Sequence, residues 1–343
     1  MEFLPVSPEA LDKAAKILRS GGIVAFPTET VYGLGADAYN SAALVKIFEA
    51  KGRPRFDPLI IHIADTRTLE DTADLSLLNE EILLKLFLLA ENFWPGPLSL
   101  VLPKSAKIPG IATAGLSTAA IRFPAHEAAQ KLISLSGGAV AAPSANPFGA
   151  LSPTRAQHVH DTLGEKVDII LDGGPTQIGV ESTVLDITGG SIKILRHGGT
   201  TKEEIENLIG AVEDAAFAQE DVTGGLVSPG QLKSHYAPRA PLSVFNKEDI
   251  IRLPVEADAA YLFFDDSSRD AWLAEQHLAE QGSARNAAVK VLSAAGNVSE
   301  AAACLFETLH ELDMNKFSHI FAQLAPQQGL GAAINDRLRR ARS

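Results

Sequence analysis

One stretch of this chain constrains the fold more than any other: two apolar strands enclose a segment rich in hydroxyl groups and cations. Residues 22–26 have the pattern of a buried strand, and Pro27 ends it before a polar loop over 28–32. A second apolar run covers 59–63. Because the loop is polar while both flanks have the character of a core, this layout favours a site at the end of a sheet that handles anions.

A row of cations precedes the second strand. Lys51, Arg53 and Arg55 recur at every second position, and Pro54 disfavours helical geometry at Arg53. We therefore expect an extended segment, whose alternate side chains share one face about 6.6 Å apart and can span a polyphosphate. A solvated basic turn is the alternative for these residues taken alone.

Helical and strand patterns alternate up to about residue 210, and several strands follow one another without a helix between them. This order predicts an α/β domain over 1–210 with a twisted mixed sheet that carries helices. The predicted strands are 23–26, 59–63, 98–102, 119–123, 139–142, 168–171, 184–187 and 192–196, and the predicted helices are 8–18, 41–50, 79–92, 125–135, 154–163 and 201–209.

The composition changes over residues 211–240, where an alanine-rich stretch leads into SPGQLKSHYAPRAP. Its prolines and glycines indicate a linker. Tyr236 lies within it, so the linker either covers a pocket or is a plain spacer. Strand patterns at LSVF, AAYLFFDD and VKVLS, with helices over 299–312 and at the C-terminal end, predict a smaller, Rossmann-like α/β domain over 241–343.

Bulk properties exclude several classes of protein. No segment approaches the length of a membrane span, and the N-terminus lacks a signal-peptide pattern, so we expect no membrane contact. The lone Cys304 rules out a disulfide framework and a cysteine-rich zinc site, which fits a cytoplasmic location. The net charge is −12, and a protein that binds nucleic acid tightly usually has a basic surface, so we expect any RNA contact to be weak. We interpret the arginines of 337–342 as a frayed helix end.

Two polar residues interrupt apolar strands. Arg122 lies within AAIRF, where a buried cation needs an anionic partner. That partner is either a carboxylate of the protein or a substrate carboxylate, which a guanidinium binds through two parallel N–H groups. His62 within LIIHI is either a hydrogen-bonded core histidine or a site residue, and it faces away from Ile61 and Ile63.

Polar turns also border other strands. PSANP follows the small-residue strand at 139–142, EST begins a strand at 181–183, and RHGG ends one at 196–199. We expect these turns to form one pocket at one edge of the sheet, although PSANP alone is also an ordinary turn. The chain has no GxxxxGK[ST] motif, so ATP would be bound by another scaffold.

With these motifs in view, the chain resembles the threonylcarbamoyl-AMP synthase family, in its long form with a YrdC-like catalytic fold and an extra C-terminal domain. The resemblance covers roughly 1–240 and extends through the small domain. The motifs occur in family order: FPTETVYGLG at 26–35, KGRP at 51–54, PLIIHI at 58–63, AIRFP at 120–124, PSAN at 143–146, ESTV at 181–184, LRHG at 195–198 and HYAP at 235–238.

The resemblance implies synthesis of L-threonylcarbamoyl-AMP from L-threonine, bicarbonate or CO2, and ATP, with release of pyrophosphate. Mg²⁺ would enter with ATP, and no metal site of the protein itself is implied. The product would pass to the tRNA-modifying threonylcarbamoyl transferase complex, which forms threonylcarbamoyladenosine next to the anticodon.

The same resemblance implies residue roles by position. It implies L-threonine binding by Thr30, His62, Arg122, Ala142 and Ser182. It implies ATP or adenylate binding by Arg53, Asp57, Thr118, Ser144, Asn146, Ser152, Arg196 and Tyr236. Lys51 and Arg53 would act catalytically at the phosphates. Asp57 stands where the family often has asparagine.

A non-catalytic RNA-binding or ribosome-assembly factor on the same fold is the competing hypothesis. The acidic charge balance weighs against it, because phosphate neutralisation supplies much of the affinity for nucleic acid. The intact cations at 51, 53 and 122 and the intact PSAN turn favour an enzyme.

Overall fold

A computed structural model describes residues 1–216, 236–256, 258–275 and 288–342. They form two compact units: residues 1–148, 152–177 and 181–216 make the first, and 149–151, 178–180 and the described residues from 236 onwards make the second. Of the predicted linker, 217–235 lie outside the described residues. None of the described helices is both long and apolar enough to cross a membrane.

The first unit is built on a mixed sheet. Its described strands are β1 (Glu2–Pro5), β2 (Val24–Phe26), β3 (Gly33–Asp37), β4 (Ile60–Ile63), β5 (Leu98–Pro103), β6 (Thr118–Arg122), β7 (Ala139–Ala141), β8 (Ile169–Asp172), β9 (Thr183–Asp186), β10 (Lys193–Arg196) and β11 (Glu213–Asp214), in the spatial order β1-β8-β2-β3-β7-β4-β6-β5-β9-β10-β11. Neighbours such as β4 and β6 run parallel, whereas β5 and β6 run antiparallel. The predicted mixed α/β sheet is confirmed.

Helices cover the sheet. They are α1 (Pro8–Arg19), α2 (Ser41–Lys51), α3 (Leu69–Thr72), α4 (Glu80–Phe93), α5 (Glu127–Ser136), α6 (Ala156–Leu163) and α7 (Lys202–Ile209). Leu18 and Ile133, from α1 and α5, join a buried apolar cluster with Phe26. Ile47 and Leu86, from α2 and α4, belong to another. The sheet therefore has buried apolar side chains on both faces, as its strand composition predicts.

The polar loop over 28–32 lies where the sequence predicts it, but residues 33–37 then form β3, a strand that the sequence patterns did not indicate. Two glycines conceal this strand from pattern recognition, since glycine usually indicates a turn. The structure gives the reason for one of them: a Cβ at Gly35 would lie 2.7 Å from Val140 Cγ1 and 2.8 Å from Phe26 Cε1. The side chains of the neighbouring strands thus fill the space above Gly35.

The second unit carries a wholly parallel sheet with the order β12-β15-β13-β14. Its described elements are β12 (Leu242–Phe245), β13 (Ala259–Phe263), α8 (Asp266–Glu275), β14 (Ala288–Val291), α9 (Val298–Met314), β15 (His319–Gln323) and α10 (Gly331–Ala341). The predicted small α/β domain is confirmed as a fold class, and the structure adds α8 and β15 to the predicted elements.

The interpretation of the C-terminal arginines as a frayed helix end was wrong for Arg337 and Arg340, whereas Arg339 and Arg342 are exposed. Arg337 lies within α10, is 1% exposed and forms an ion pair with Asp336. Arg340 Nε lies 2.8 Å from the other oxygen of the same carboxylate. The Arg337 guanidinium also lies 5.0 Å from the centre of the Tyr236 ring, a cation–π distance. Arg337 and Arg340 therefore form contacts inside the second unit that stabilise it.

Candidate active site

The register of three adjacent strands brings polar side chains together at one end of the first sheet. His62 of β4 pairs with Arg122 of β6, and Arg122 pairs on its other side with Ser99 of β5. Side chains at directly paired positions lie on the same face of a sheet. Ser182, immediately before β9, lies beside them, because its Oγ is 2.8 Å from Ser99 Oγ. We refer to His62, Ser99, Arg122 and Ser182 as the Arg122 row.

Arg122 is 3% exposed, and three protein groups hold its guanidinium. Nη2 donates to Glu29 Oε1 at 2.5 Å, Nη1 donates to Thr30 Oγ1 at 2.9 Å, and Nε donates to the Gly96 carbonyl at 3.2 Å. Of the two partners left open by the sequence, the protein carboxylate is therefore present, and it is Glu29. Arginine has five N–H donors, so the described residues leave two of them available to a ligand.

Hydrogen bonds within the threonine-rich loop fix its conformation. Thr28 Oγ1 donates to the Val31 carbonyl at 2.7 Å and lies 2.8 Å from Thr30 Oγ1. The backbone N–H of Thr30 donates back to Thr28 Oγ1 at 3.2 Å. All of these groups are buried. Thr30 is thereby presented to Arg122 in a single arrangement, as a preorganised site requires.

His62 is buried and neutral. Burial, and secondarily the charge of Arg122, lower its pKa from 6.5 to about 3. Its Nδ1 lies 3.2 Å from the Ile60 carbonyl, and its ring meets Phe26 edge-on at 6.3 Å between centres. The imidazole can therefore take part in hydrogen bonds with a polar ligand without adding charge to the site.

The three cations of KGRPR do not share one extended face, so that prediction was wrong. Lys51 is the last residue of α2, and Gly52 ends the helix in the left-handed conformation with φ 63°. Lys51 and Arg53 are 4% and 7% exposed, whereas Arg55 lies on the surface. The glycine turn redirects the chain, and only two of the three cations enter the interior.

Lys51 connects the end of α2 to the PSAN turn. Its Nζ donates to the Ser144 carbonyl at 2.6 Å and also to the Asn146 carbonyl. Burial, followed by the charge of Arg53, lowers the Lys51 pKa well below its ordinary value, while Asp57 and Glu181 oppose that shift. Lys51 is thus a desolvated amine whose charged form an arriving anion would stabilise.

Arg53 and Asp57 form a buried ion pair. Arg53 Nη2 lies 2.8 Å from Asp57 Oδ1, and the side chains are 3% and 0% exposed. Arg53 also donates to the carbonyls of Asp57 and Pro58. Burial raises the pKa of Asp57, while Arg53, Lys51 and Arg196 lower it. Asp57 therefore has a partner within its own loop.

Arg196, at the end of β10, reaches Ser182. It donates from Nη2 to the Ser182 carbonyl at 2.9 Å and to Ser182 Oγ at 3.1 Å. Ser152 Oγ donates to the carboxylate of Glu181, and both residues are buried. Arg196 also lowers the pKa of Asp57, so its charge acts on the Arg53 loop as well as on Ser182.

The remaining predicted residues have different surroundings. Ala142 follows β7 and donates its backbone N–H to the Ile60 carbonyl at 2.9 Å. Thr118 begins β6, and Ala120, two residues later, pairs with Ile60, so Thr118 lies beside the chain that carries Asp57. Tyr236 belongs to the second unit, where it is 1% exposed, has φ 64° and packs against Phe306 at 5.7 Å.

Sequence reasoning missed three residues among these contacts: Glu29, Ser99 and Glu181. A signal existed for two of them. Glu29 is the only carboxylate in the polar loop, and Ser99 is the only hydroxyl in the apolar strand LSLVLP. Each breaks a local pattern as Arg122 does. Glu181 had the weaker signal of a charged residue at a strand start.

Comparisons with known proteins place these residues in context. Residues 16–198 match the family model described as Telomere recombination, and residues 200–343 match the model of the threonylcarbamoyl-AMP synthase C-terminal domain. A threonylcarbamoyl-AMP synthase of Pyrococcus abyssi is 43% identical over 96% of this chain and 92% of its own length. A threonylcarbamoyl-AMP synthase of Bacillus subtilis is 42% identical over 98% and 94%.

A solved structure is also similar over nearly the whole chain. The crystal structure of Pyrococcus abyssi Sua5 complexed with L-threonine matches with a TM-score of 0.85 and 40% sequence identity. The match covers 99% of this chain and 96% of that one.

The depressed pKa of His62 predicts a pH-dependent stability. Between pH 6.5 and about pH 3, His62 binds a proton in the unfolded state but not in the folded state. The free energy of unfolding therefore falls as the pH drops through 6.5. Between pH 7 and pH 5 this loss is roughly 2 kcal/mol. Urea denaturation of wild type and His62→Gln at both pH values measures it. Equal losses in the two proteins would contradict the prediction.

Proposed function

The chain belongs to the threonylcarbamoyl-AMP synthase family, and we propose that it joins L-threonine, bicarbonate or CO2, and ATP into L-threonylcarbamoyl-AMP with release of pyrophosphate. The observation that carries the proposal is a buried arginine with two N–H donors that the described residues leave unused, beside a second buried group of cations, in a chain related to these synthases over 96% of its length. The buried Arg122 suits the carboxylate of an amino acid, and the second group of cations suits phosphates.

The Arg122 row would bind L-threonine. The two remaining N–H donors of Arg122 can bind the substrate carboxylate, with Thr30 fixed beside them. The neutral His62 suits the threonine hydroxyl, since a neutral imidazole exchanges hydrogen bonds without demanding a counter-charge. Ser182 and the backbone of Ala142 would complete this subsite, as the family resemblance implies.

The second group would bind the phosphates of ATP. Lys51, Arg53 and Arg196 bring positive charge to one buried region, where charges interact more strongly than in water. Phosphate binding would raise the pKa of Lys51 and so favour its charged form. Ser144, Asn146, Ser152 and Thr118 would supply polar contacts to the nucleotide.

Mg²⁺ would enter as part of the nucleotide substrate. The described residues contain no group of three or more His, Cys, Asp or Glu side chains that could hold a metal ion. Asp57 forms an ion pair with Arg53 through Oδ1. This donor set fits a cation carried by phosphate oxygens, and its charge would add to that of the buried lysine and arginines.

The reaction would need alignment more than proton transfer. In the adenylation step, an oxygen of threonine carbamate attacks the α-phosphorus, and the bond from that phosphorus to the pyrophosphate oxygen breaks. The carbamate is already a nucleophile, so the protein supplies orientation and neutralisation of the developing charge. Lys51, Arg53 and Arg196 would neutralise the pyrophosphate. The product would then serve threonylcarbamoyladenosine formation in tRNA.

Substitution of the buried arginines tests the proposal. Pyrophosphate release with Mg²⁺ and ATP should require both L-threonine and bicarbonate, and Arg53→Ala or Arg122→Ala should lower kcat/KM by about 100-fold or more. Arg55→Ala is the matched control, because this exposed neighbour should change kcat/KM by less than about threefold.

Two results would contradict the proposal. One is release that does not depend on L-threonine. The other is no release from folded wild-type protein under any combination of substrates; if that protein also retained RNA at moderate salt, the RNA-binding alternative would be favoured.

Tyr236 enters the proposal through the family resemblance, as a nucleotide-site residue that would shield the labile carbamate from water. Tyr236→Ala should then lower the yield of threonylcarbamoyl-AMP per ATP consumed more than it lowers ATP affinity. Product quantification alongside ATP titration measures both effects. An unchanged yield would refute the shielding role.

A further inference from the structure

One carboxylate oxygen of Glu29, Oε2, forms no hydrogen bond with the described residues. The residue is 4% exposed, and its Oε1 accepts from Arg122 Nη2 at 2.5 Å. Its Oε2 is buried and has no hydrogen-bond partner among the described residues. Buried carboxylate oxygens ordinarily accept hydrogen bonds, because a buried oxygen that loses its hydrogen bonds to water and gains none from the protein destabilises the folded state. This oxygen is therefore an acceptor held ready for a donor.

The threonine hydroxyls near Glu29 are engaged in other contacts, and neither the remaining N–H groups of Arg122 nor His126 forms a hydrogen bond with Glu29 Oε2. Thr30 Oγ1 accepts from Arg122, and Thr28 Oγ1 donates to the Val31 carbonyl. His126, whose pKa Glu29 raises against a larger lowering by burial, accepts the Ala128 N–H at its Nδ1 as the cap of α5. The donor that would complete Glu29 is therefore best supplied by a ligand.

We propose that Glu29 Oε2 accepts a hydrogen bond from the α-amino group of L-threonine, so that the Glu29–Arg122 pair recognises both charged groups of the amino acid. An α-amino acid carries its carboxylate and its ammonium on one carbon, and an adjacent guanidinium and carboxylate present the complementary charges. This inference rests on the proposed function and adds a substrate-binding residue to it.

The contact can persist through the reaction. The amino nitrogen arrives as an ammonium, its reaction with bicarbonate forms the N–C bond and releases water and one proton to solvent, and the carbamate nitrogen still carries one N–H that can donate to Glu29. Holding this nitrogen limits rotation of the carbamate about the bond to the α-carbon, which helps to direct its oxygen towards the α-phosphorus. No proton transfer to Glu29 is assigned.

Glu29 could instead serve only to orient Arg122, and a ligand without an amino group separates the two roles. (R)-3-Hydroxybutyrate keeps the carboxylate and hydroxyl of L-threonine and lacks the amine. An orienting role affects both ligands, since both would use Arg122. Direct recognition of the amine affects L-threonine alone, and removal of the Glu29 charge would leave Arg122 freer to bind either carboxylate.

The test is calorimetric titration of wild type, Glu29→Gln and Glu29→Asp with L-threonine and, by competition, with (R)-3-hydroxybutyrate. For Glu29→Gln we expect the Kd for L-threonine to rise by about tenfold or more, because a charge-assisted hydrogen bond is lost. The Kd for (R)-3-hydroxybutyrate should change by less than about threefold or fall. Glu29→Asp keeps the charge and should recover part of the L-threonine affinity.

Equal weakening of both ligands would overturn the inference and leave Glu29 as a support for Arg122. Unchanged L-threonine affinity in a folded Glu29→Gln protein would overturn it as well. If Glu29→Gln does not fold, Glu29→Asp carries the test, with the same selective but smaller loss expected. Failure of wild type to bind L-threonine, with or without ATP, would instead refute the proposed function together with this inference.

Discussion

The burial of cations at one end of the first sheet is the constraint on which the rest of the site depends. An unpaired buried cation would cost several kcal/mol, so each one requires a partner from another segment. Arg122 pairs with Glu29, Arg53 pairs with Asp57, and Lys51 donates to carbonyls of the PSAN turn. These contacts tie the polar loop, the end of α2 and the turn after β7 to the sheet. Ligand recognition and local folding therefore use the same interactions.

The arrangement suits a reaction that needs charge and alignment rather than a protein base. His62 is neutral, and burial lowers the pKa of Lys51, whose charged form anion binding would favour. Charges fixed in a buried region need little reorganisation when a reaction develops negative charge. The charge of the buried Asp57 is matched by Arg53 within the same loop.

Much of this architecture was predictable from local patterns. The apolar strands and amphipathic helices were found near their observed positions, and the cation at position 122 correctly indicated an anionic partner. Strand β3 was missed, because its glycines make room for Phe26 and Val140, and that close packing is invisible in one dimension. The extended geometry expected for KGRPR failed at Gly52, whose left-handed turn redirects the chain. The partners of buried charges could not be read from sequence, because they come from distant segments.

The most direct test of the account is to follow the carbon of bicarbonate into the product. Wild-type protein would be incubated with Mg²⁺, ATP, L-threonine and isotopically labelled bicarbonate, and the adenylate would be analysed by mass spectrometry. The account predicts threonylcarbamoyl-AMP that carries the heavy carbon in its carbamoyl group. An unlabelled threonyl adenylate, or the absence of any threonine-containing adenylate from folded protein, would contradict it.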